Sequence, residues 1–207
     1  MLIQELLDHI NNSEIGRLGF TQDEEAIDLR EAYTRLVGYF NLGLIELNKH
    51  CLLNRLTTPI DIIKDKEIYT FEDSTKILRV RDSNGIVIPT NNASDINTIQ
   101  IFNTNNLIVP SIYTGQKLLV DNVYNFKSYT VDDVLNKDKV PIANNFIDSL
   151  ILFIAYKAYL NRDPDLDGTS TVYYNKFKES LNQNVLLSLS DKDYNIDVDA
   201  IDRLCYV

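Results

Sequence analysis

The segment Pro141-Ile-Ala-Asn-Asn-Phe-Ile-Asp-Ser-Leu-Ile-Leu-Phe-Ile-Ala-Tyr-Lys-Ala-Tyr-Leu160 is the most apolar stretch of the chain. Its apolar residues recur at helical spacing on two tracks: Ile142, Phe146, Leu150, Phe153 and Ala143, Ile147, Ile151, Ile154, Ala158. Pro141 suits a first-turn position, where its missing N–H costs no helical bond. A helix apolar around most of its circumference must be covered on several sides, so the other elements are expected to pack around it. Asn144, Asn145, Asp148 and Lys157 interrupt it, and no uncharged run reaches the ~20 residues that a membrane span needs. This predicts the central buried helix of a globular domain, in a chain of 207 residues that is 44% hydrophobic and 24% charged.

Upstream, Leu2, Ile3, Leu6, Leu7 and Ile10 mark a short amphipathic helix with no basic leader and no cleavage pattern, so no export signal is expected. Thr21-Gln-Asp-Glu24 has the capping-box pattern and opens a second helix, reaching as far as Asn54. Gly38 and Gly43 each cost ~1 kcal/mol against Ala inside a helix. They predict a kink, a break near Asn41–Gly43, or a neighbouring backbone packed close there. From Thr57 to about Thr130, Ile-, Val-, Tyr- and Thr-rich runs alternate with Asn, Asp, Ser and Gly clusters. Strands are expected at Glu67–Phe71, Lys76–Arg81, Ile86–Pro89, Thr98–Phe102, Gln116–Val120 and Asn122–Thr130. Asn84-Gly85 predicts a hairpin with a type I′ turn. The Asn-rich stretches Asn91-Asn92 and Asn103–Asn106 read as linkers. Beyond a charged connector, the apolar segment and the loop Asn161–Gly168, a final helix carries Tyr173, Phe177, Leu181, Val185 and Leu189 on one ridge.

The expected fold is therefore α+β. A helical bundle core is built from N- and C-terminal helices (residues 1–56 and 132–189), with a small antiparallel β region (57–131) inserted and a C-terminal extension (190–207).

The net charge of −10 argues against a protein that tracks nucleic-acid phosphates, which needs clustered Lys and Arg. The two cysteines, Cys51 and Cys205, have no metal or redox spacing, and free thiols are expected. Asp163-x-Asp165-x-Asp167-Gly168 matches the first half of an EF-hand loop, offering a calcium-dependent binding module as an alternative function. Tyr174 stands where that loop needs a bidentate Glu, however, and Pro164 is unusual inside it, so no metal is assigned. His50-Cys51 lacks a partner pair at zinc spacing. Gly38-x-x-x-x-Gly43 is followed by Leu44 where a phosphate-binding loop needs Lys. No catalytic motif is present, so no enzyme activity and no cofactor are expected. Twelve tyrosines, with no tryptophan, supply residues suited both to a core and to interfaces.

Four stretches together carry a family resemblance: the early helix around Asp28-Leu-Arg-Glu-Ala-Tyr33; Lys66–Phe71 leading to Ile77–Gly85; Val140-Pro-Ile-Ala-Asn-Asn-Phe146 opening Ile147–Tyr159; and Tyr173-Tyr-Asn-Lys-Phe-Lys-Glu-Ser-Leu181. In this order they resemble the head–tail adaptor (connector ring) proteins of tailed bacteriophages, the group that docks beneath the portal in short-tailed phages. The resemblance implies a structural virion protein, made in the bacterial host cytoplasm, with about twelve copies closing into a homo-oligomeric ring. Its implied partners are the portal protein, tail or further ring proteins, and DNA passing through the lumen without sequence-specific binding. A tail or neck completion protein is the alternative within the same biology. The resemblance also places the extension after Ser190 against the portal or a neighbouring subunit, with Ile201, Leu204, Cys205, Tyr206 and Val207 as its apolar hook.

Overall fold

Apolar residues three and four apart give way along the chain to apolar residues two apart, and the structure follows that switch. A computed structural model describes residues 1–18, 29–91, 97–162 and 167–189. Two units result: Met1–Cys51 with Lys127–Val207, and Leu52–Phe126.

The first unit is helical: α1 (Ile3–Asn12), α2 (Leu29–Cys51), α3 (Val131–Leu135), α4 (Ile147–Arg162) and α5 (Asp167–Leu189). α1, α2 and α5 all pack on α4, where Leu150, Ile154, Ala155 and Ala158 are fully buried. α4 begins later than its apolar tracks suggest. Ala143 is extended, a single 3-10 turn covers Asn144–Phe146, and Pro141 precedes both. α2 runs unbroken through Asn41–Gly43. Side chains of α4 occupy the space beside Gly43, where a Cβ would lie 2.5 Å from Leu150 Cδ1 and 3.3 Å from Phe153 Cδ1. The Thr21–Glu24 cap lies outside the described residues.

Aromatic rings join α4 to α5. Phe153 meets Phe177 edge-on at 5.2 Å, and Tyr159 stacks on Tyr173 at 5.3 Å. Tyr159 Oη donates to the Glu14 carbonyl at 3.0 Å and Tyr173 Oη to Glu14 Oε2 at 2.6 Å. Beneath the rings, the hydroxyls of Ser149 and Ser180 are 2.7 Å apart, and Asn184 Nδ2 donates to Ser149 Oγ at 3.0 Å. A buried polar pairing of this kind penalises sliding of one helix along the other, because a shifted register would strand its donors.

The second unit holds seven strands: β1 (Arg55–Asp61), β2 (Ile68–Thr70), β3 (Ser74–Asp82), β4 (Val87–Ile88), β5 (Gln100–Phe102), β6 (Asn106–Ile108) and β7 (Lys117–Tyr124). They form two antiparallel sheets, ordered β1-β7-β3-β4 and β2-β6-β5. Both contribute to one core, in which Val80, Ile99, Leu107, Leu118 and Val120 are completely or almost completely buried. Thr90 bridges to Ile99, and the Asn91 N–H donates to the Ile99 carbonyl at 2.9 Å, so the chain leaving one sheet lines the edge of the other.

This corrects the expected fold class. The chain is mixed α and β, with substantial β structure in two sheets, not a helical bundle with a small β insertion. Two strands account for much of the difference. β1 contains Pro59, which reads as a terminator, but β1 is an edge strand. The bonds Tyr124 N to Asn54 O and Ile62 N to Gln116 O show that even-numbered residues of β1 face β7. Pro59 therefore sits at an outward position, where its missing N–H removes no ladder bond. β6 lies in an Asn-rich stretch and is held by β2 on one side and β5 on the other. β7 extends to Tyr124, and residues 125–130 form no strand. The Asn84-Gly85 hairpin forms with a different turn. Gly85 has φ +85°, whereas Asn84 is not among the positive-φ residues. Asp82 N donates to Ile86 O, closing a three-residue loop, and Asp82 Oδ1 accepts the N–H groups of Asn84 and Ile86. A turn followed by a left-handed glycine is the second common way to join two strands.

Candidate interaction surfaces

α2 buries one side and leaves the other apolar. Tyr33, Leu36, Val37, Phe40, Leu44 and Leu47 face inward. At i, i+4 and i+7 on the outer side stand Gly38, Leu42 and Ile45, with Leu42 47% and Ile45 49% exposed. A Cβ at Gly38 would meet nothing within 4 Å, so this ridge has a notch open to an incoming side chain. Arg35 and Lys49, both exposed, flank it. On α5, Val172 and Tyr174 are exposed, and the Tyr174 ring lies 5.0 Å from that of Tyr156. The helical unit thus presents apolar groups in two unlike settings, an aliphatic ridge and an aromatic pair. Its own core does not use Leu42, Ile45 or Val172.

The second surface is the outer face of the four-stranded sheet. Register sets Thr57, Asp121 and Arg79 in one row across β1, β7 and β3, with Pro59, Leu119 and Arg81 in the next. An irregularity between Ile77 and Arg79 lets Ile77 and Val80 both face the core while Arg79 and Arg81 point away from it. Asp121, only 7% exposed, accepts Arg79 Nε and one Arg81 Nη, each at 2.6 Å, and Thr57 Oγ1 at 2.7 Å. Burial alone pushes the Asp121 carboxyl up. The hydrogen bonds from Arg79, Thr57 and Arg81 outweigh it and hold the group below the usual carboxylate range. Arg81 Nε is buried and has no hydrogen-bond partner among the described residues.

A third cluster is structural. Thr130 and Asp133 cap α3 reciprocally, and Lys127 Nζ bridges Asp133 at 2.9 Å and Asp138 at 2.8 Å. The Thr130 hydroxyl and backbone N–H, then Lys127, hold Asp133 well below the usual range, and Asp138 with Asp133 raises Lys127. Tyr33 Oη donates to Asp8 Oδ1 at 2.6 Å; burial, reinforced by that carboxylate, pushes the phenol up to about 12.

The tail residues Ile201, Leu204, Cys205, Tyr206 and Val207 lie outside the described residues, as do Asp163 and Asp165. Asp167 and Gly168 open α5, and Tyr174 lies inside that helix. His50 Nε2 is 3.1 Å from Glu46 Oε1 and Cys51 ends α2. Among the described residues no group of three His, Cys, Asp or Glu side chains is placed to hold a metal ion, and no helix is long and apolar enough to cross a membrane. An open depression of about 340 Å³ beside β2 is lined by Ile63, Lys64, Asp65, Lys66, Glu67 and Val109, without a convergent polar set.

Leu42, Ile45 and the Asp121 cluster are the features that pattern reading missed. The first two had a signal, since they are apolar yet fall off the buried track of α2. Arg79-Val-Arg81 had one too, as cations alternating along a strand. Asp121 had none, because its partners lie some forty residues away.

No protein-family model matches the chain, and no curated protein matches it.

Proposed function

We propose that this chain is a non-enzymatic structural subunit of a homo-oligomeric ring at the head–tail junction of a tailed bacteriophage, docking to the portal and offering a platform for tail components. The observation that carries the assembly part is the exposed Gly38–Leu42–Ile45 ridge on a helix whose opposite side already completes the core. A closed ring needs two unlike, mutually fitting patches on each copy, and the α2 ridge and the α5 Val172–Tyr174 pair are unlike. The head–tail assignment rests on the order of sequence segments described first. In this reading the virion is the site of action, DNA passes through the ring without being read, and Ile201–Val207 hooks a portal or neighbouring subunit.

Negative-stain microscopy of the protein alone and mixed with its portal tests the proposal. Ring particles are expected; monomers in every mixture sink it. Leu42→Glu with Ile45→Glu is expected to abolish rings while shifting stability by less than ~1 kcal/mol, as exposed positions do. Deleting Ser190–Val207 is expected to weaken portal or ring association with the helical unit still folded.

A further inference from the structure

Asn84 is the only asparagine in the chain that a glycine follows. In that pair a side-chain amide is most open to its own backbone, because the next residue has no Cβ to screen its nitrogen. The pair lies at the tip of the β3–β4 hairpin, where Ser83, Asn84, Gly85, Ile86 and Val87 are all exposed. A Cβ built at Gly85 would meet nothing within 4 Å, so no neighbouring group walls off the Gly85 nitrogen. The Asn84 side-chain amide makes no hydrogen bond among the described residues, and nothing there holds it away from that nitrogen.

The reaction open to such a pair is an internal displacement. The Gly85 backbone nitrogen gives up its proton and attacks Asn84 Cγ; the new N–Cγ bond forms as the Cγ–Nδ2 bond breaks, and ammonia leaves. Water then opens the cyclic imide. Opening at Cγ gives aspartate, and opening at the Asn84 main-chain carbonyl carbon gives isoaspartate, in which the chain runs on through Cβ. Water is consumed and ammonia released in equal amounts, with no oxidant, reductant or metal required. The loop holds this reaction back. The Gly85 N–H donates to the Asp82 carbonyl at 3.0 Å, and Asp82 Oδ1 accepts the Asn84 N–H at 2.9 Å and the Ile86 N–H at 2.8 Å. The attacking nitrogen is thus engaged and the backbone on both sides of it is clamped, so the loop must open before the imide can close. β4 is two residues long and pairs on one side only, at the edge of its sheet, which puts this opening among the least costly in the β unit.

We propose that Asn84 is a self-modifying site, at which the hairpin converts without an enzyme to aspartate and isoaspartate, and that the Asp82 carboxylate is the clamp that sets the rate. The inference stands apart from the ring reading. Either product places a new carboxylate two residues from Asp82, where like charges oppose the turn. Isoaspartate also lengthens the main chain between Asp82 and Ile86, so the bond from Asp82 N to Ile86 O and the pairing of Arg81 with Val87 lose their common register. The modified chain is expected to release β4 and leave β3 as the new edge of the four-stranded sheet.

The test follows the full chain in mildly alkaline buffer by peptide mapping, with mass spectrometry and chromatography separating the asparagine, aspartate and isoaspartate forms. The Asn84 peptide is expected to convert ahead of every other asparagine-containing peptide, and about tenfold more slowly in the folded chain than in urea, where the hairpin is open. Asp82→Ala is expected to convert about tenfold faster than wild type when folded, having lost two bonds to a charged acceptor, and at the wild-type rate in urea. Asn84→Gln, whose longer side chain must close a larger ring, is expected to stay unmodified at the tip. Hydrogen exchange reads the consequence: protection of β4 should fall in step with isoaspartate at Asn84 and hold in Asn84→Gln. Conversion of Asn84 no faster than that of the other asparagines overturns the site. Equal rates for folded wild type and Asp82→Ala overturn the clamp. If that variant does not fold, the wild-type comparison decides, and equal rates in buffer and in urea overturn the clamp as well.

Discussion

In the helical unit one element, α4, supplies the surface on which α1, α2 and α5 pack. The β unit has no such centre. Its core is shared between two antiparallel sheets, and each strand buries only alternate residues. The polar groups differ in the same sense. The helical unit hides small neutral ones, Ser149, Ser180 and Asn184, between two helices. The β unit places a charged cluster on the side of a sheet away from its core. A helix apolar on most of its circumference has few positions for charge, whereas a strand has one face free for it, and that is where Arg79 and Arg81 meet Asp121.

The largest expected effect breaks the centre of the helical unit. Phe153→Ala removes a ring that touches Phe177 and lies beside Gly43, and is expected to cost about 3–5 kcal/mol. Hydrogen exchange should show loss of protection in α2, α4 and α5. Equal loss throughout residues 52–126 would mean that the two units unfold as one.

Asp121→Ala is the counterpart in the β unit. It leaves Arg79 and Arg81, both partly exposed, without their shared carboxylate, at an expected cost of about 2–3 kcal/mol. Because the folded carboxyl titrates below its unfolded value, its contribution is complete above about pH 4 and is lost as pH falls through the depressed folded value. Asp121→Asn should therefore remove part of the acid dependence of β-unit protection. Acid does not by itself separate the units, since Asp133 caps α3 with the same sign.

What could be read from sequence follows the same division. α4 was legible because its apolar pattern repeats over sixteen residues, enough to rise above local noise. Its start was not, since Asn144-Asn145 tighten the chain into a 3-10 turn that apolar periodicity cannot register. In the β unit the runs at Ile68–Thr70 and Ser74–Asp82 were visible, but β1 and β6 were hidden by Pro59 and by asparagines. Their strand state depends on partners β7, β2 and β5, and non-local pairing leaves little trace in a short window. The interaction surfaces were half legible for the same reason. Leu42 and Ile45 are anomalies within one helix, whereas the cluster around Asp121 exists only once β1, β3 and β7 are in register.

Alkali separates the units where acid does not. Burial and the Asp8 carboxylate raise Tyr33, and burial foremost raises Tyr129, both in the helical unit. A phenol whose folded value is raised binds its proton longer in the folded state, so its contribution is present below the unfolded value near pH 10 and is lost as pH rises through the folded one. For Tyr33 the window is about pH 10 to 12. Tyr33→Phe is expected to cost about 1–2 kcal/mol at neutral pH by removing its hydrogen bond to a carboxylate. It should also reduce the alkaline loss of protection in α1 and α2. An unchanged alkaline profile would show that the Tyr33–Asp8 bond is not what titrates.

The smallest effect is the sharpest test of which residues serve the fold and which serve assembly, because it compares two glycines on one helix. At Gly43 a methyl group would press on the buried Leu150, so Gly43→Ala sets a packing cost of about 1–3 kcal/mol against ~1 kcal/mol of helix propensity and is expected to destabilise on balance. Gly38→Ala meets open space and is expected to stabilise α2 by ~0.5–1 kcal/mol. If the Gly38 notch receives a side chain from a neighbouring copy, the same substitution weakens ring formation while raising the melting temperature. A variant that gains stability and loses rings would place Gly38 at the interface; one that gains stability and assembles normally would move the contact away from the α2 ridge.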